Sequence, residues 1–211
     1  MTKETPNLDA AYGLETPEDS KKLYADWAES YDQDFAAERF YLLPEIAARC
    51  FVEAGGRSPV LDVGAGTGLC GVELTKLGVR TVDATDISAQ MLEQAAKKDV
   101  YRDMIEADLT LGVPVPRDSY AGVVSSGTFT HGHVGPEVLP LLLRVARRDA
   151  LFSLSINAGH YESHGFATMF DQLIGDGAIR NLRLPEYPIY GDGATGSHKD
   201  DTALIALFRK T

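Results

Sequence analysis

Cysteine is scarce in this chain, and so is positive charge. Two cysteines in 211 residues, Cys50 and Cys70, have no metal-ligand spacing and give no basis for a disulfide scaffold. Both fall among apolar residues in helical patterns, which predicts buried free thiols. Lysine and arginine number 20 against 31 acidic residues, a formal charge of −11. A surface that grips a phosphate backbone needs clustered cations, and the pairs Lys97-Lys98 and Arg147-Arg148 are isolated, so no nucleic-acid partner is expected. Long apolar runs are missing too. The richest, Val138 to Val145, is broken by Pro140 and Arg144 and is too short to cross a bilayer, so no membrane partner is expected. Met1 to Pro6 has no apolar core of the kind a secretory signal needs, and the cytoplasm is the expected compartment. With neither repeats nor a low-complexity linker, a chain of this length is expected to form one domain.

What is present is a glycine-rich turn in a telling place. Val60-Leu61-Asp62-Val63 reads as a buried strand, Gly64-Ala65-Gly66-Thr67-Gly68 as a tight turn, and Leu69, Val72, Leu74 and Leu77 as one face of a helix. Between strand and helix, glycines allow a ligand close to the backbone while the helix N-terminus offers free N–H groups. Twenty residues after Gly66 a second short strand ends in Asp86, a position from which a carboxylate can accept both hydroxyls of a ribose. Asp86 could instead cap the following helix, although Ser88 can fill that role. A ligand containing adenosine is expected.

The pattern departs from a dinucleotide site. Leu69 stands where the third glycine of G-x-G-x-x-G would be, and Asp62 would repel a pyrophosphate but suit a cationic ammonium group. Asp62 with Gly64, Gly66 and Gly68 resembles the nucleotide motif of class I S-adenosylmethionine-dependent methyltransferases, a likeness that extends over nearly all of the chain beyond residue 20. The alternative for Asp62 is a satisfied buried carboxylate without ligand contact.

Further along, strands (59–63, 80–84, 101–106, 120–125, 150–156) alternate with helices (68–77, 88–98, 135–147, 160–174), the signature of a doubly wound parallel sheet. Residues 178–184 and 202–209 then read as a hairpin. The expected fold is α/β, a mainly parallel seven-stranded sheet of the Rossmann-like methyltransferase type with an antiparallel C-terminal strand and an N-terminal helical cover. Residues 1–15 are expected to be mobile. Residues 16–211 form the domain, with 16–56 as helical lid and 57–211 as core. Thr16-Pro17-Glu18-Asp19 is a good helix start, and that helix should run through Tyr31; a second is expected from Phe40 to Ala54, closed by Gly55-Gly56.

The resemblance implies further residues. Asp108 would accept the adenine amino group while the backbone of Leu109 meets the ring, and Ile87 and Met91 would flank it; a loop aspartate bonding its own turn and a core methionine are the plain alternatives. Ser125 and Ser126 end the fourth strand and leave room for the sulfonium. Tyr24-Ala25-Asp26-Trp27-Ala28-Glu29-Ser30-Tyr31-Asp32 resembles the entry helix of many small-molecule methyltransferases, which lies over the cofactor and would present Tyr24 and Tyr31 to it. Thr130 to Gly135 resembles a signature in a methyltransferase-like subgroup related to proteins of the Williams–Beuren chromosomal region, whose substrate no motif settles. One departure is visible: Arg147-Arg148-Asp149-Ala150 replaces a Pro-Gly-Gly turn common in the family, at the end of the sheet away from the cofactor.

Methyl transfer from a sulfonium needs alignment of the nucleophile and, where it is protonated, a base. His131 is the first candidate for that base, with His133 behind it; a helix-capping role is the plain alternative, and H-x-H lacks a third metal ligand, so no metal is expected. Asn157, Tyr161 and Tyr190 are candidate substrate contacts by position; the loop before the last strand also offers Tyr187 and His198. The expected activity is methyl transfer from S-adenosylmethionine to a small-molecule acceptor, leaving S-adenosylhomocysteine. A protein side chain as acceptor, a nicotinamide-dependent oxidoreductase and a non-catalytic S-adenosylmethionine sensor are the rivals.

Overall fold

In a computed structural model of the chain, residues 16–32, 40–195 and 198–211 are described; the segment 1–15, expected to be mobile, lies outside them. Helix α1 (Pro17–Trp27) begins as the sequence predicts, with the Thr16 hydroxyl accepting the Asp19 N–H at 3.1 Å. It ends four residues before Tyr31, which follows a turn. Helix α2 (Leu43–Glu53) starts later than Phe40 because Pro44 occupies its first turn, and it stops where Gly55 turns at φ +77.

The sheet contains β1 (Val60–Val63), β2 (Val82–Asp86), β3 (Met104–Glu106), β4 (Tyr120–Phe129), β5 (Ala146–Asn157), β6 (Ile179–Arg183), β7 (Glu186–Pro188) and β8 (Thr202–Lys210). Their order is β3-β2-β1-β4-β5-β8-β6, with the short β7 also pairing β8. Only β8 runs against the rest, inserted between β5 and β6. The seven expected positions are therefore occupied, and β7 adds a short eighth strand.

Consecutive residues of the central strands point to opposite faces, so both faces need covers. Val60, Val82 and Val124 pack under α2 and α3 (Leu69–Lys76), where Phe51 and Leu74 are fully buried. Ala84 and Leu92 extend that layer beneath α4 (Ala89–Ala96). Leu61, Val123, Phe152 and Phe208 face the other side, against α5 (Leu139–Val145) and α7 (Phe166–Gly175). Each of these large side chains contributes about 1.5–3 kcal/mol by leaving water.

Three expected boundaries move. The helix expected at 135–147 ends at Val145, and Arg147 to Asp149 extend β5 instead. The helix expected at 160–174 is two, α6 (Ala158–Ser163) and α7, separated by Gly165 at φ +76. The fourth strand runs on to Phe129 through a register shift after Ser125, with Gly127 at φ +83. A bulge of this kind re-aims the chain where it leaves the sheet, and the candidate site begins there.

Candidate active site

The site lies at the carboxyl ends of β1, β2 and β4, where strand order reverses around β1. The glycine turn is pinned to β2 by two backbone donations, Ala65 N–H to the Thr85 carbonyl (3.0 Å) and Gly66 N–H to Oδ2 of Asp86 (2.8 Å), while Oδ1 of Asp86 accepts from the Ser88 N–H (2.9 Å) just beyond β2. Burial pushes the Asp86 carboxyl up from its ordinary value, and the N–H groups of Ser88, Gly66 and Ile87 pull it back. Gly64 and Gly66 both have positive φ for different reasons. A Cβ on Gly64 would lie 2.0 Å from the Thr128 hydroxyl, whereas one on Gly66 would meet nothing within 4 Å. Gly66 therefore presents bare backbone to open space.

That space is a cavity lined by Gly64, Gly66, Asp86, Ile87, Met91, Asp108, Leu109 and Ser126, with Tyr24, Tyr31 and His133 across from them. These sequence-chosen residues do converge. Asp108 also makes the plain loop contact foreseen for it, Oδ1 accepting from the Thr110 N–H (2.8 Å) and hydroxyl (2.7 Å), yet it faces the cavity. Tyr41, Leu69 and Thr128 join the lining without having been singled out as contacts; Tyr41 arrives through an isolated bridge to Tyr190, a pairing with no local sequence signal.

Several expectations are corrected. Asp62 does not reach the cavity. It is fully buried behind the turn, where Tyr101 O–H donates to Oδ2 at 2.7 Å and Oδ1 has no hydrogen-bond partner among the described residues. Burial raises its pKa from 3.8 to about 7 despite the Tyr101 hydrogen bond, and the Asp86 charge adds to the rise. Gly68 caps α3 at φ +91, its absent Cβ making room for Ala95 and Tyr101, so it serves helix packing. Ser125 is buried and donates to the Val63 carbonyl at 2.7 Å, tying β4 to β1 outside the cavity lining.

The histidines change places. Gly132, at φ +74, turns the loop so that the side chains of residues 131 and 133 diverge. His131 packs toward the rings of His160 (5.5 Å) and His164 (6.2 Å), outside the cavity lining. His133 faces the cavity, with Nε2 at 2.8 Å from the Tyr24 hydroxyl and Nδ1 at 2.9 Å from the His131 carbonyl. Because a carbonyl only accepts, Nδ1 carries the proton and Nε2 presents a lone pair to Tyr24. Burial lowers the pKa of His133 and favours the neutral ring. Tyr161 is not at the site: it stacks on Phe166 and Phe170 in the core, at 5.9 and 6.4 Å.

Asn157 and Tyr190 line a second, smaller chamber that shares Tyr24, Tyr31, Tyr41, Gly127 and His133 with the first. Asn157 also caps α6, its Oδ1 accepting the His160 N–H at 3.1 Å. The segment formed by α1 and the turn after it is fastened at three points. Lys21 reaches Glu106 (2.5 Å), Tyr24 reaches His133, and Asp32 takes Lys98 (2.7 Å) and the Thr67 hydroxyl (2.5 Å). Among the described residues no group of histidine, cysteine and acids is arranged to hold a metal, and no helix is long and apolar enough to cross a membrane.

Residues 60–149 match a family described as a methyltransferase domain. Human methyltransferase-like protein 27 is 34% identical over 142 residues, 63% of this chain and 56% of that protein, so the match spans about half of the relative's length. Among solved structures, 1,6-didemethyltoxoflavin-N1-methyltransferase of Burkholderia thailandensis, holding its named substrate and S-adenosylhomocysteine, superposes with TM-score 0.62 at 18% identity, over 94% of this chain and 92% of that one. The cyclase SpnF reaches TM-score 0.68 at 12% identity, over 93% and 97%, so the fold by itself does not name a reaction. Over residues 60–149 the chain matches a methyltransferase domain, and it has the Rossmann-like fold of the solved methyltransferase it superposes on.

Proposed function

We propose that the protein transfers the methyl group of S-adenosylmethionine to a small-molecule acceptor, and that it belongs to the methyltransferase-like subgroup resembled by its Thr130–Gly135 segment. The observation that carries this is a single run of connected space, from Asp86 and the bare backbone of Gly66 at one end to His133 beneath the lid at the other.

Asp86 has each carboxylate oxygen occupied by one backbone N–H, which leaves acceptor capacity for ribose hydroxyls. Asp108 and the backbone of Leu109 would take the adenine edge, Ile87 and Met91 its faces, and the Gly64–Gly66 backbone the amino-acid portion. Bound there, the cofactor supplies an activated methyl group on a positively charged sulfur. Tyr24 and Tyr31 give that charge aromatic neighbours, worth about 0.5–2 kcal/mol. His133 is placed to take the acceptor's proton, and the lid excludes water from the transfer. The second chamber is about a third the size of the first (50 against 160 Å³), which favours a small molecule over a protein side chain as acceptor.

A thermal-shift series tests this. S-adenosylhomocysteine at about a hundred times its dissociation constant should stabilise the protein by about 2.7 kcal/mol, raising Tm by roughly 5–10 °C. NAD at matched concentration should leave Tm unchanged. A larger shift with NAD would overturn the assignment in favour of a nicotinamide enzyme.

A further inference from the structure

At His133 the large cavity opens into the second chamber, whose chemistry restricts what can enter. Its walls are aromatic on several sides. Tyr24, Trp27 and Tyr31 come from the lid, with Trp27 and Tyr31 edge to face at 5.1 Å; Tyr41 and Tyr190 form a tilted pair at 6.2 Å, and Phe129 comes from the end of β4. Polar atoms come from Thr130, Ser155, Asn157 and His133, together with the hydroxyls of the four tyrosines.

Charge in the described lining narrows the acceptor. Among the described residues lining the two cavities none is lysine or arginine, so a carboxylate or phosphate placed there would lose water without gaining a counter-charge from those side chains. The carboxylates of Asp86 and Asp108 lie in the larger cavity, and among the described residues no acid lines the second chamber.

We propose that the acceptor is an uncharged, single-ring aromatic molecule carrying a weakly acidic ring N–H or O–H, seated in the second chamber with that hydrogen on Nε2 of His133. The proposal rests on the methyl-transfer assignment above. The Nδ1–H of His133 stays on the His131 carbonyl, which fixes the tautomer and aims the Nε2 lone pair inward. Tyr24 O–H occupies that lone pair at 2.8 Å in this structure, and the incoming ring takes its place. In the transfer the acceptor's nitrogen or oxygen forms its bond to the methyl carbon as the carbon–sulfur bond breaks, the electron pair remaining on sulfur. The ring N–H or O–H proton passes to Nε2, and the resulting imidazolium returns it to water when the product leaves.

Ligand-observed NMR on the full chain saturated with S-adenosylhomocysteine tests the acceptor class. Imidazole and phenol are the probes, and whichever binds decides between nitrogen and oxygen chemistry; benzoate, benzylamine and cyclohexanol are the controls. The successful ring should bind at least about tenfold tighter than every control, a difference of about 1.4 kcal/mol. It should also perturb the ¹⁵N signal of His133 Nε2. Tyr190→Trp, which fills the chamber away from the cofactor residues, should abolish ring binding while S-adenosylhomocysteine affinity is kept. Should that variant fail to fold, Tyr190→Leu gives the reverse test, and 2-naphthol should gain on phenol. With S-adenosylmethionine, mass spectrometry should find the methylated ring, and His133→Asn should abolish it. Equal binding of benzoate or benzylamine, ring binding indifferent to residue 190, or no ring binding alongside intact S-adenosylhomocysteine binding would each overturn the acceptor class alone. Failure of S-adenosylhomocysteine to bind would instead overturn the methyl-transfer assignment, and this proposal with it.

Discussion

The two halves of the site are built on different plans. The half around β1, β2 and β3 is made of backbone and short side chains, and its parts are close in sequence: Gly64 to Thr67, Asp86 to Met91, Ala107 to Thr110. The half around β4, β5 and β8 is made of large rings brought from α1, the turn after it, the bridge at Tyr41, the end of β4 and Tyr190, with Asn157 from the start of α6. A nucleoside has fixed hydrogen-bonding edges, which a strand–turn–helix unit can meet with main-chain groups placed by its own geometry. An acceptor varies, and side chains on separate elements can change one at a time without disturbing that unit. The lid joins the halves, since Asp32 holds the glycine turn while Tyr24 holds His133.

The sharpest way to break this division is at the histidines. His133→Ala should lower methyl transfer by about 10²–10⁴-fold while S-adenosylhomocysteine affinity stays within about threefold of the parent. His131→Ala, whose side chain faces α6, should change turnover by no more than a few-fold. The two are compared as methyl incorporation from labelled S-adenosylmethionine, and equal losses would erase the distinction drawn from the turn at Gly132. Next in size, Asp86→Ala should weaken S-adenosylhomocysteine binding by about 1.5–3 kcal/mol in calorimetry, because a charged acceptor is lost. Unchanged affinity would remove Asp86 from the nucleoside half.

An effect on stability, not on binding, concerns Asp62. The folded protein keeps this carboxyl protonated up to about pH 7, while its ordinary value is 3.8. Between those values the folded state binds more protons than the unfolded one, so this group makes stability fall as pH rises. Asp62→Asn should flatten the decline of Tm from pH 4 to pH 7, and an unaltered slope would show that the charge is tolerated. Smallest is the latch. Lys98→Ala removes a partly exposed ion pair to Asp32 and should lower stability by less than about 1 kcal/mol in denaturant titration.

Within the nucleoside half the sequence was informative wherever function is carried by local geometry. Gly66 and Asp86 line the cavity where spacing along strand, turn and helix puts them, and Asp108 lines it where the resemblance implies. Asp62 was misplaced for the same kind of reason: its position in the motif is local, but whether its carboxylate points at the ligand or behind the turn depends on Tyr101, thirty-nine residues away. His131 and His133 differ by two positions, and only the left-handed backbone at Gly132 decides which of them meets the cavity. Tyr161 had a favourable position next to a strand end, yet its ring found Phe166 and Phe170.

The sequence by itself determined the alternation of strands and helices, the reversed strand near the C-terminus, the glycine turn and the carboxylate that faces it. Hydrophobic period, turn chemistry and spacing act over a few residues and are written in consecutive letters. Only the tertiary structure decided the aromatic chamber, the exchange of roles between the two histidines and the retreat of Asp62. Each of those depends on which distant side chain fills the space next door, and packing between separate elements settles that.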